Sequence, residues 1–162
     1  MNLMHEMTAY YRGDPKRIQH FTKVYTYCDY IAQCENMTQD EYRTLLAAAL
    51  VHDIGIKNAE AKYGTCTGKQ QETEGPPEAR RMLEKLGFEQ KTVERVCYLV
   101  GHHHTYTAID GLDYQILVEA DFLVNFYEDA VGKDEIACCM GKIFRTTAGK
   151  QLCADMYGLS VQ

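Results

Sequence analysis

A chain of 162 residues with 46% hydrophobic content can bury one sizeable core, since chains of this size remove roughly 70% of their unfolded surface from water, so a single domain over 1–162 is expected. Its formal charge of −6 argues against a nucleic-acid polymer as partner, which calls for a basic patch, and leaves small charged molecules open. No stretch approaches the ~18 apolar residues of a membrane span, and Met1 to Asp14 lacks an apolar signal core, so a soluble cytoplasmic protein with no membrane partner is expected.

The predicted elements are helices. Asp14-Pro15 supplies an N-cap followed by proline at the first helical position, and Ile18, Phe21, Val24 or Tyr25, Cys28 and Ile31 repeat at helical spacing. This first helix carries His20. Thr38-Gln39-Asp40-Glu41 reads as a capping box opening a second helix that runs to about Asp53, with Leu45, Ala49 and His52 on one face. The polar, glycine-containing stretch from Asn58 to Gly75 has loop composition and is expected to be a lid. Gly75-Pro76-Pro77 then starts a third helix burying Ala79, Met82, Leu83 and Leu86 and stopping at Gly87. A fourth opens near Gln90 with Val93, Val96, Cys97 and Val100 on one stripe. A fifth spans Tyr114 to Tyr127, and Glu135–Phe144 and Gly149–Tyr157 supply the last one or two. The fold class is all-α.

Polar residues stand where core residues belong. His20 precedes Phe21, His52-Asp53 end the apolar run 45–51, and Asp121 lies inside the apolar fifth helix. A buried carboxylate is expensive unless a cation or donor compensates it, and two histidines with two carboxylates converging on one cation resolve the cost together. Adjacent helical residues point about 100° apart, so His52 and Asp53 share an ion only where the helix end faces a cavity.

Other features carry less. Seven cysteines (Cys28, Cys34, Cys66, Cys97, Cys138, Cys139 and Cys153) form no C-x-x-C pair and read as reduced thiols, with vicinal Cys138-Cys139 the one pair suited to redox chemistry. Gly149-Lys150 is not a phosphate loop, because the upstream glycine spacing is wrong and Gln151 stands where Ser or Thr is required.

A histidine, then a His-Asp pair, then a distant aspartate, each on its own helix, resembles the signature of the HD-domain superfamily of metal-dependent phosphohydrolases. The resemblance runs from Asp14 to about Tyr127, with 128–162 as a C-terminal helical extension. It includes Ile54-Gly55-Ile56-Lys57 after the pair and the run Gly101-His102-His103-His104. It implies a single-domain helical bundle that binds a divalent transition metal through His20, His52, Asp53 and Asp121 and hydrolyses a small phosphorylated substrate, a nucleotide first. Imidazole and carboxylate ligation suits Mn²⁺, Fe²⁺, Ni²⁺, Co²⁺ or Zn²⁺ better than Mg²⁺ or Ca²⁺.

One ion or two is left open. Binuclear members carry a histidine shortly before the third helix, whereas this chain reads Gln70-Gln71-Glu72-Thr73-Glu74 there. A second ion would take Glu74, with Glu72 behind it, together with His103 and His104; His103 is the first choice of the three histidines. For chemistry, Asp53 ligates and orients water, His103 or Glu74 moves a proton, and Lys57 holds phosphate. Arg80, Arg81, Arg145 and Lys150 are weaker phosphate candidates. Two other functions stay open: a di-iron oxygenase on the same fold, against which the missing histidine counts, and a metal- or nucleotide-binding regulatory module without turnover.

Overall fold

The structure is a computed structural model that describes residues 2–160. Met1 and residues 161–162, the two ends of the expected 1–162 domain, lie outside the described residues. Among the described residues there are nine α-helices and no strand: α1 (Leu3–Tyr10), α2 (Pro15–Cys34), α3 (Gln39–Val51), α4 (Ile56–Tyr63), α5 (Gly68–Lys85), α6 (Gln90–Val100), α7 (Leu112–Glu128), α8 (Lys133–Ile143) and α9 (Thr147–Tyr157). The protein is all-α.

The two capping signals act as expected. Asp14 accepts a hydrogen bond from the Arg17 backbone N–H at 3.1 Å, and Pro15 opens α2. Thr38 and Glu41 form a reciprocal capping box at the start of α3. Helix α3 then runs through the centre of the bundle, with α1, α2, α6 and α7 packed around it. A helix covered on every side must be apolar all round, which accounts for the run 45–51: Leu45, Ala48, Ala49 and Val51 are wholly buried. Burying a leucine or valine this way contributes roughly 1.5–3 kcal/mol each.

The expected lid over 58–75 is not a loop. Helix α4 occupies most of its first half, and α5 begins at Gly68 rather than at Gly75-Pro76-Pro77, so both prolines lie inside a helix. Thr67 accepts from the Gln70 N–H at 3.3 Å while the Gln70 side chain accepts from the Thr67 N–H at 2.8 Å, a capping box that starts α5 within polar sequence. The segment is held down by a close approach of α4 and α5. A Cβ on Gly55 would stand 2.6 Å from the Gly75 nitrogen and 2.7 Å from the Gln71 carbonyl oxygen, so only glycine permits this contact.

Helix α1 has no counterpart among the predicted elements. Asn2 caps it by accepting from the Met4 N–H, and Leu3 and Met7, one turn apart, are its buried side. At the other end, α8 and α9 are tied to the bundle by Glu119. This fully buried carboxylate accepts from the backbone N–H groups of Arg145 at 2.6 Å and Thr146 at 3.0 Å. A Cβ at Gly149 would lie 1.9 Å from Glu119 Oε2, so Gly149 serves helix packing.

Candidate metal centre

His20 projects from the second turn of α2, and Asp121 from the middle of α7. His52 and Asp53 come directly after α3, in a turn through residues 52–55 that leads into α4. Because the helix ends at Val51, the two neighbours are free to face the same cavity. Tyr11, just beyond α1, donates from its hydroxyl to the Asp53 carbonyl at 2.8 Å and fixes that turn from outside.

His20, His52 and Asp53 bring donor atoms within 4.8 Å of one another, and Asp121 approaches both imidazoles. His20 Nε2 stands 3.1 Å from His52 Nε2, 3.2 Å from Asp121 Oδ1 and 3.3 Å from Asp53 Oδ2. His52 Nε2 is 3.5 Å from Asp53 Oδ2 and 3.6 Å from Asp121 Oδ1. The remaining ring nitrogens are committed elsewhere: His52 Nδ1 donates to the Ala49 carbonyl at 2.9 Å, and His20 Nδ1 to Glu128 Oε2 at 3.0 Å. Each Nε2 therefore turns its lone pair toward the shared point once the ring is neutral.

The electrostatics are those of a site built for a cation. Burial opposes charge on His20, but the bonds and charges of Asp121 and Asp53 outweigh it and raise the imidazole to about 9. His52 is raised in the same sense. Burial pushes Asp53 and Asp121 upward, and the surrounding histidines overcome it and hold both below the usual carboxylate range.

The residues present fit a divalent metal. An ion with bonds of about 2.1 Å separates neighbouring ligands by about 3.0–3.4 Å, from octahedral to tetrahedral geometry, and the imidazole–imidazole and imidazole–carboxylate separations of 3.1 to 3.6 Å lie close to that. A second group, Asp53, His103 and His104, borders the first. His103 follows the end of α6, donates from Nδ1 to the Val100 carbonyl at 2.9 Å, and brings Nε2 to 3.5 Å from Asp53 Oδ1. That Nε2 is buried and has no hydrogen-bond partner among the described residues. An unpartnered imidazole nitrogen facing a carboxylate is an arrangement that a cation between them would satisfy. Asp53 would thus present Oδ2 to an ion on the His20 side and Oδ1 to one on the His103 side.

His104 lines the cavity. Its Nε2 lies 3.0 Å from Gln71 Oε1, and burial, with His103 beside it, lowers its pKa to about 4. Glu72 does not reach the donors as a ligand; it is buried beneath the histidine turn and accepts from the His104 N–H and the Thr105 hydroxyl. His102 turns outward, stacking on Tyr98 with centroids 4.2 Å apart.

Two expected site residues are placed elsewhere. Glu74 faces away from the cluster and accepts from Lys62 Nζ and the Tyr63 hydroxyl, both at 2.7 Å, because the start of α5 at Gly68 puts it on the side turned to α4. Lys57, in the first turn of α4, donates to the Tyr10 carbonyl at 3.1 Å and lies over the Tyr10 ring. Neither lines the cavity, nor do Arg80, Arg81, Arg145 or Lys150. The cations that do are Lys16 and Arg17, at the N-terminus of α2.

Sequence reasoning passed over Gln71, Asn125 and Glu128. The last two follow Asp121 at i+4 and i+7 and form a polar stripe on an otherwise apolar helix, a signal that ends one residue past the expected boundary at Tyr127. Asn125 Nδ2 donates to Asp121 Oδ1 at 2.9 Å.

The HD-domain family model matches residues 17–137, which span every donor just described. The chain belongs to the HD-domain family. No curated protein and no solved structure matches it. HD domains form a family of metal-dependent hydrolases that bind divalent metals, and among the described residues the His/Asp groups could hold one. No helix among the described residues is long and apolar enough to cross a membrane.

Proposed function

We propose that this HD domain is a phosphohydrolase acting on a small phosphoester, with a nucleotide as the first candidate. The observation that carries the reading is the clustering of His20, His52 and Asp53, with Asp121 against both imidazoles, at the wall of a cavity of about 300 Å³. That volume suits a small molecule. A divalent transition metal at this point lowers the pKa of bound water and polarises a phosphoryl oxygen.

The chain's own groups do the rest. Asp53 and Asp121 are held ionised by the imidazoles around them and so stand ready as ligands. Lys16 and Arg17 line the cavity one turn before His20, where the positive end of α2 adds to their charge, and they take the phosphate-holding role first given to Lys57. Arg17 is pre-set for it by Asp14 and by Glu60, whose carboxylate accepts from its guanidinium at 2.6 Å. His103, wholly buried behind Asp53, serves as a ligand at the second position rather than as the group that meets substrate. Gln71 occupies His104 Nε2, so the second position is the weaker of the two. A di-iron oxygenase would need both positions fully ligated, and Glu74 supplies no ligand to it.

The test is phosphate release from nucleoside mono-, di- and triphosphates and sugar phosphates, with Mn²⁺, Co²⁺, Ni²⁺, Fe²⁺ and Mg²⁺ added one at a time. Release from one substrate class with a transition metal is expected, falling by about 10³-fold or more in Asp53→Ala as several kcal/mol of transition-state stabilisation are lost. Absence of release from every substrate, or equal turnover in the variant, would overturn the proposal.

A further inference from the structure

Glu128, the last residue of α7, lies outside the donor set and touches it at one atom. Its Oε2 accepts from His20 Nδ1 at 3.0 Å, on the side of the ring opposite the cluster. Its Oε1 accepts from Lys23 Nζ at 2.6 Å. His20 and Lys23 are three residues apart on α2, and Asp121 and Glu128 seven apart on α7, so each pair lies on one helix face. The His20 ring is therefore bracketed by one helix: Asp121 at Nε2 and Glu128 at Nδ1. Both carboxylates are largely buried, with side-chain exposures of 7% and 14%.

We propose that Glu128 is the positioning residue that makes His20 a metal ligand, with Lys23 as the clamp that holds the carboxylate in place. A neutral imidazole carries one proton. With Glu128 accepting at Nδ1, that proton is kept there and the Nε2 lone pair faces the ion. Without it, nothing favours this tautomer over the one with a proton on Nε2, which points an N–H at the ion and cannot ligate. A carboxylate behind a ligating histidine also raises its donor strength, and loss of such a partner typically costs about 10–100-fold in metal affinity. Lys23 leaves Glu128 two fixed bonds instead of one, so the carboxylate cannot swing into the cavity it borders and take the ion itself. The inference rests on His20 being a ligand, as proposed above.

The experiment titrates Co²⁺ into chelator-stripped wild type, Glu128→Gln, Glu128→Ala and His20→Ala, reading both the dissociation constant and the visible cobalt spectrum. Far-UV circular dichroism checks that each is folded. Glu128→Ala should bind Co²⁺ about 10–100-fold more weakly with an altered spectrum. Glu128→Gln, nearly isosteric and still able to accept at Nδ1 through its amide oxygen, should fall between the alanine variant and wild type; it also stands in should the alanine variant not fold. A purely structural role would lower thermal stability and leave the affinity and spectrum of folded protein unchanged, and that result would overturn the inference. If His20→Ala binds Co²⁺ as wild type does, the metal site itself has been misassigned; if only His20→Ala is impaired, the site stands and the role of Glu128 falls.

Discussion

In metal-free protein the His20 imidazole keeps its proton to about pH 9, because Asp121 and Asp53 together outweigh the cost of burying the charge. Against an ordinary value of 6.5, this group stabilises the fold most fully below pH 6.5, and its contribution is lost as pH rises through about 9. Ligation has the opposite requirement, since a metal takes the neutral ring and displaces the proton. Chelator-treated protein should therefore lose melting temperature between pH 6.5 and 9, while Mn²⁺-loaded protein should not. Proton release should accompany Mn²⁺ binding at pH 7.5. A flat melting profile for the stripped protein across that window would contradict the charge arrangement described. The proximity of His20, His52, Asp53 and Asp121 was legible in the sequence because each is a polar residue in an apolar helical setting, where its cost demands a partner. Glu74 and Lys57 were misplaced because their directions depend on how α4 and α5 lie against each other and against Tyr10, which no local spacing reveals. Glu128 was visible in principle, as the third member of the Asp121, Asn125, Glu128 stripe.

At the scale of elements, the bundle depends on a few points where backbones touch. The contact of Gly55 with the backbone of Gln71 and Gly75 joins the turn after Asp53 to α5, which also carries Gln71 and Glu72 toward the histidine turn. Gly55→Ala puts a methyl group into that backbone contact and should cost about 1–3 kcal/mol, read as a lowered midpoint in urea, with weaker metal binding because Asp53 shifts with its turn. An unchanged midpoint would show that α4 and α5 have slack between them. Helices α2 and α3, with clear caps, and α6 and α7, with clear apolar patterns, were legible from sequence to within a few residues. Helix α5 was not, because Pro76-Pro77 reads as a start and the true start, the capping box at Thr67 and Gln70, lies in polar sequence. Helix α1 is only eight residues long and buries just Leu3 and Met7, too short a segment for its periodicity to register.

Taken as one molecule, the chain surrounds a central apolar helix, α3, and the deeply buried carboxylates among the described residues are accounted for one by one. Asp113 is paired with Arg95, Glu119 with the backbone at the start of α9, Glu72 with the histidine turn, and Asp121 with the imidazoles. What is left over is the unpartnered His103 Nε2, and it points at the same carboxylate that the first cluster uses. Around the cavity the acids Asp14, Asp53, Asp121, Glu128 and Asp129 outnumber Lys16 and Arg17, so the anionic substrate proposed above would need a bound cation to offset them. The most direct measurement is elemental analysis of untagged wild type and Asp121→Ala, both purified without chelators. At least one transition-metal ion per wild-type chain, lost in Asp121→Ala at unchanged helicity, is the predicted result. A metal-free wild type, or a variant that keeps its full metal content, would contradict the assignment of this cluster as a metal centre.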